Sequence, residues 1–74
     1  MDTSARNQLR GTVKSVSIGA VMAEVIVDVN GIEMVAAITK ESAERLGLAS
    51  GMPAVAIIKA TDVMIGSTSP TRAD

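Results

Sequence analysis

Two β-branched runs joined by Asn30-Gly31 constrain the fold of this chain more than any other feature. The first, Val21 to Val29 (VMAEVIVDV), puts Val25, Val27 and Val29 on one face and Glu24, Ile26 and Asp28 on the other. It lacks the three-to-four-residue spacing of a helix. Asn-Gly suits the two positive φ angles of a type I′ turn, whose twist matches that of the strands it joins. Ile32 to Ile38 is therefore expected to return as the antiparallel partner.

Leu9 to Ser17 (LRGTVKSVS) reads as a half-exposed strand. Alternation sets Leu9, Gly11, Val13 and Ser15 on one face and Arg10, Thr12, Lys14 and Val16 on the other. Gly11 marks a bend or a close backbone approach, and Gly19 punctuates the connection 18–20. Thr39 to Gly47 is a short helix: Thr39 is a good N-cap, Glu41 suits the positive end, and Gly47 suits the C-terminal left-handed position. After a turn over 48–53, Ala54 to Ala60 is apolar on both faces and expected to be buried on both. Val63-Met64-Ile65 is expected to form a short last strand, and Ser67 to Asp74 is a polar tail. This order suits a mainly β, OB-like five-stranded barrel, closed or partly open, with one short helix between strands 3 and 4.

A single domain of 74 residues buries only about 60–65% of its unfolded surface. With no Cys and no His there is neither a disulfide nor a zinc cluster to support it, and no metal site is expected. Yet 47% of the residues are hydrophobic, mean hydropathy is +0.36, and no aromatic residue fills volume. Burial between copies of the chain reconciles these facts, so an oligomer is expected. A net charge of −1 and scattered basic residues give no footprint for nucleic acid. No leader pattern and no apolar stretch of bilayer length is present, so a soluble cytoplasmic protein is expected.

Chemistry is confined to a few groups. The stretch Thr3-Ser4-Ala5-Arg6-Asn7-Gln8 sets a hydroxyl and a guanidinium together before a strand, and Lys59 ends the most apolar strand candidate. Cations beside hydroxyls and backbone N–H groups bind anions. Ser4 and Arg6, two apart, would share a side in an extended segment. Thr39 and Ser42 stand at the helix start, where unpaired N–H groups favour an anion, and the Lys59-Ala60 backbone can add a donor. The plain alternatives are a surface ion pair for Arg6, a snorkelling side chain for Lys59, a simple N-cap for Thr39, and core or interface filling for the methionines. Glu24 and Asp28 belong to a solvated face or to interface ion pairs. No acid–base pair or nucleophile supports an enzyme.

With these residues in place, the chain closely resembles the molbindins, single-domain members of the Mop/TOBE family. The resemblance covers about residues 3–66 and runs through SARNQLRGTV, then Gly19-Ala20-Val21-Met22-Ala23-Glu24-Val25. It continues through Ala37-Ile38-Thr39-Lys40-Glu41-Ser42 with Arg45-Leu46-Gly47-Leu48. Gly51 and Ile57-Ile58-Lys59-Ala60-Thr61-Asp62-Val63 complete it. Met22 departs from it, standing where a small polar residue, commonly Asn, is expected.

The resemblance implies a strand-exchanged dimer assembling to a homo-hexamer, a trimer of dimers. It also implies a protein that stores or buffers molybdate or tungstate at subunit interfaces, with no covalent cofactor, no catalysis, and neither nucleic acid nor membrane as partner. It places Ser4, Arg6, Lys59 and Ala60 with Thr39 and Ser42 of a neighbouring subunit. A second oxyanion site near the three-fold axis would involve Gly19, Ala20, Val21 and Met22. Residues 1–66 would form the oxyanion-binding domain and 67–74 a tail. The alternative is a non-catalytic oligomeric module of the same fold that has lost selective oxyanion binding.

Overall fold

The computed structural model describes residues 3–68. Its central hairpin is the one set by Asn30-Gly31. Strand β2 (Met22–Val29) pairs antiparallel with β3 (Ile32–Thr39), from Val29↔Ile32 at the turn to Met22↔Thr39 at the far end. Asn30 and Gly31 take φ of 50° and 87°, the two positive values a type I′ turn requires.

Strand β1 (Asn7–Ile18) runs beside this hairpin and beside β4 (Pro53–Ile58), but serves the two partners with different halves. Residues 7–12 pair with β4, from Asn7↔Ile58 to Thr12↔Pro53, and residues 12–18 pair with β2. The resulting antiparallel sheet has the order β3-β2-β1-β4. Gly11 lies where the partners change over: an added Cβ would sit 2.3 Å from the Asp28 carbonyl oxygen. That is the close approach its position in a strand suggested.

A bulge between Val13 and Ser15 corrects the expected faces of β1. Val13 pairs with Val27, Ser15 with Ile26 and Val16 with Val25, so Lys14 is the extra residue. Val16 thereby turns inward with Val13 instead of opposite to it. Val13, Val25 and Val27 are the centre of the core, packed by Val16, Val29, Met34, Ile38 and Leu48.

Helix α1 (Lys40–Leu46) has the expected ends. Thr39 caps it in extended conformation, and Gly47 closes it at φ 64°. Leu48 N–H reaches the Ala43 carbonyl and Gly47 N–H the Glu44 carbonyl, the paired bonds of a Schellman ending. Ala43 is the helix residue buried against the sheet.

Two expectations are corrected, and of the closed and partly open forms the chain does not take the closed one. Four strands form, and Val63-Met64-Ile65 does not become a fifth: a 3₁₀ turn over Ala60–Asp62 follows β4 and leads the chain off the sheet. An apolar triplet becomes a strand only where a neighbouring edge takes up its backbone groups, and among the described residues 63–65 pair with neither free edge, β3 nor β4. β4 stops at Ile58, before Ala60, and is half-buried on one face only; Val55 and Ile57 on the other are exposed. The barrel is open, with β3 and β4 as edges. A closed barrel would need the pairing that residues 63–65 do not supply.

The outcome is a long molecule, 48 × 27 × 24 Å, with a radius of gyration of 14.8 Å. A compact chain of this length would have about 11 Å. The tail expected over 67–74 lies outside the described residues apart from its first two.

Candidate functional site

The cationic group gathers at the free end of the β1–β4 ladder. Asn7 pairs with Ile58 there, so the residues just outside the ladder are Arg6 and Lys59. Pairing thus brings together two cations from opposite ends of the sequence. Both are exposed, and among the described residues neither takes part in a salt bridge, so the plain reading of Arg6 as an ion-pair partner finds no carboxylate. Lys59 precedes the 3₁₀ turn, and its carbonyl accepts from Asp62 N–H at 2.9 Å. Ala60 begins that turn, so its position at this end follows from the way β4 terminates.

Ser4 approaches by an arm that is not extended. The chain bends at Ser4 and again at Arg6. Ala5 N–H donates to Thr3 Oγ1 at 3.2 Å, and Gln8 Nε2 donates to the Ala5 carbonyl at 2.9 Å. These side chains take the groups that a strand would have paired, so the same-side argument for an extended segment does not apply. Gln8 is a residue that sequence reasoning missed. A glutamine in a strand carries no signal that its amide will reach back three residues.

Thr39 and Ser42 stand at the other end of the chain's fold. The 12-residue strand β1 separates the two ends by roughly 36 Å along its length. Thr39 Oγ1 accepts from Ser42 N–H at 3.0 Å and lies 2.8 Å from Ser42 Oγ, to which it donates. Its proton is therefore committed to the cap, whereas the Ser42 hydroxyl proton is still available. Thr39 is thus the N-cap of α1.

Beside Thr39 lies the loop of Gly19, Ala20, Val21 and Met22. Lys40 N–H donates to the Val21 carbonyl at 2.7 Å, and Gly19 N–H to the Met22 carbonyl at 2.8 Å. The second bond turns the Gly19 donor into its own loop. Val21 and Met22 are exposed, at 71% and 48%. Within one chain, therefore, Ser4, Arg6, Lys59 and Ala60 form one group, and Thr39, Ser42 and residues 19–22 form another.

Two further features are not anion sites. An open trough of about 680 Å³ between the hairpin and β4 is lined by apolar side chains such as Val27, Met34, Ile38 and Ala54. It presents few donors. On the sheet surface Lys14 pairs with Glu33, which faces Asp28 across β2 and β3. The hydrogen bond and the charge of Glu33 raise the lysine above its ordinary value, with a smaller contribution from Asp28. Among the described residues no cluster of His, Cys, Asp and Glu could hold a metal ion, and no helix is long and apolar enough to cross a membrane.

Comparison with known proteins shows the family of the chain. Residues 3–65 match the TOBE domain. Molybdenum-pterin-binding protein 3 of Clostridium pasteurianum is 47% identical over 66 residues, covering 88% of this chain and 97% of the relative. A molybdate-binding protein from Sporomusa ovata superposes with a TM-score of 0.86 at 42% identity, over 90% of this chain and all of the other. The cytoplasmic molybdate-binding protein ModG, solved with molybdate bound, superposes with a TM-score of 0.77 at 46% identity. That match covers 81% of this chain and 43% of ModG.

Proposed function

The chain belongs to the TOBE-domain family, among relatives of the single-domain molybdenum-pterin-binding (Mop) type, and we propose that it is a cytoplasmic binding protein that stores or buffers molybdate and tungstate. The observation that carries this reading is the emergence of Arg6 and Lys59 side by side, exposed and without a salt bridge among the described residues. Molybdate at neutral pH is a dianion with four acceptor oxygens and no proton. It matches a site of donors with two positive charges. Arg6 offers a fork of N–H donors and Lys59 a compact charge on a flexible stem. Ser4 adds a hydroxyl and Ala60 a backbone N–H.

Thr39 and Ser42 join this group from a neighbouring copy, with Ser42 as the available hydroxyl donor. Their distance from Arg6 within one chain is what supports a site shared between copies. Such a ligand stabilises the assembly by mass action. The assembly is a homo-hexamer, a trimer of dimers. Because residues 7–12 pair with their own β4, the element exchanged in the dimer is the whole β1–β4 ribbon, which projects from the hairpin and reaches the next copy. The loop of Gly19, Ala20, Val21 and Met22 contributes to a second oxyanion site through backbone donors other than Gly19 N–H. Residues 1–66 form the oxyanion-binding domain and 67–74 a tail.

Phosphate is partly protonated near neutrality, and in a donor-only site its proton would face another donor. Sulfate lacks that proton and is separated from molybdate by size. Relatives are described as binding proteins, and no catalytic role is proposed.

Isothermal titration with molybdate, tungstate, sulfate and phosphate tests the reading, together with native mass spectrometry. Molybdate and tungstate should bind alike and more tightly than the other two, to a hexamer. If molybdate gives no heat beyond sulfate, the chain is the non-binding module of the same fold. Deleting residues 1–7 should weaken both binding and the dimer, and an intact hexamer with unchanged binding would remove the shared-ribbon picture.

A further inference from the structure

Both backbone polar groups of Ala5 are tied by side chains: its N–H by Thr3 and its carbonyl by Gln8. Ala5 is half-buried, whereas Ser4 and Arg6 on either side are exposed. A segment outside a ladder is ordinarily free about φ and ψ, and it loses that freedom when a ligand fixes it. Here the protein restrains the segment in advance. Of the two anchors, Gln8 has the firmer base: it belongs to β1 and is in register with Ile57. Thr3 lies upstream of the arm and outside every strand.

We propose that Gln8 is a positioning residue for the oxyanion arm. Its amide holds the Ala5 carbonyl and so presets the relative directions of Ser4 and Arg6. The inference rests on the reading of those two residues as ligand donors, and Gln8 itself touches no ligand. The role needs an N–H donor at the end of a side chain of this length. Methionine keeps the length and approximate volume but has no such donor.

The test uses the full chain as parent, Gln8→Met, Arg6→Ala and the double variant. Titration calorimetry with molybdate reads affinity, native mass spectrometry reads assembly, and backbone amide order parameters read the mobility of Ala5 and Arg6. Gln8→Met should lower both order parameters and weaken molybdate about two- to tenfold, the range for one neutral hydrogen bond. Assembly and melting temperature should stay at the parent values. In the Arg6→Ala background the same substitution should cost less affinity, since only Ser4 is left to position.

Parent-like affinity or parent-like order parameters in Gln8→Met overturn the proposal. So does an equal loss in both backgrounds, because an effect additive with Arg6 does not act through it. If Arg6→Ala leaves binding intact, the donor reading has failed and the proposal falls with it. The order parameters identify that failure, since they change in Gln8→Met only where the clamp exists.

Discussion

Asn7 and Ile58 form the outermost rung of the β1–β4 ladder, and this rung sets Arg6 beside Lys59. Neighbouring like charges repel, and an anion placed between them replaces that repulsion with two attractions. On the proposed function, the arrangement would suit the liganded protein better than the empty one.

Arg6→Ala and Lys59→Ala should each weaken molybdate about ten- to hundredfold, the range for a hydrogen bond to a charged group. Without ligand, neither variant should melt below the parent, because each relieves a repulsion. Calorimetry and thermal melts read the two effects separately. A variant that melts lower and binds normally would identify a structural cation.

Gly11→Ala should be destabilising by about 1–3 kcal/mol, the usual range for forcing atoms into packed space. The added Cβ would meet the Asp28 carbonyl oxygen at 2.3 Å and Val27 Cγ1 at 3.0 Å. Gly66→Ala is the control, because nothing lies within 4 Å of its added Cβ. Urea unfolding of both variants checks the contrast, and equal midpoints would contradict it.

Local chemistry made much of this fold legible. Asn30-Gly31 announced the hairpin, and Thr39 and Gly47 announced both ends of α1, because turns and caps depend on neighbouring residues. What depended on partners distant in the chain was not legible. Alternation cannot reveal that Lys14 is the extra residue of a bulge, so Val16 was expected on the wrong face. Residues 63–65 have strand composition, yet among the described residues they pair with neither free edge, β3 nor β4. Of the candidate site, the residue types were visible in the sequence. The adjacency of Arg6 to Lys59 needed the register, and the Gln8 clamp needed atomic positions.

The Lys14–Glu33 pair gives a pH dependence of definite sign. Its lysine is raised above the ordinary value of 10.5, so the stabilisation is complete below that pH. It is lost as pH rises through the higher folded-state value. Asp28 and Glu33, directly opposite on β2 and β3, repel more once the lysine is neutral. Melts of the parent and Lys14→Gln should therefore differ by a constant amount from pH 7 to about 10 and converge above it. Salt should shrink the difference, since the pair is exposed. Convergence as the pH is lowered from 10 to 7 would refute the assignment.

Val63, Met64 and Ile65 are 45%, 90% and 91% exposed, and Ile57 on β4 is 45% exposed. Such a surface predicts a melting temperature that rises with protein concentration. Ile65→Asp or Ile57→Asp should lower the assembly mass seen by native mass spectrometry. At the same time, monomer dichroism should keep its β-type spectrum. Concentration-independent melting of the parent would argue for a monomer.

The change of partners at Thr12 and Val13 has a geometric consequence. Val13 N–H donates to the Met52 carbonyl, Gly51 N–H to the Val13 carbonyl, and Ser50 Oγ to the Lys14 carbonyl, at 2.9, 2.8 and 2.9 Å. These bonds fasten the strand where it passes from β4 to β2, making a braced corner instead of a hinge. A ring of identical units closes only when each unit turns the next through the same angle. With its corner braced and its length fixed by residue count, β1 would serve the proposed assembly as both ruler and set square.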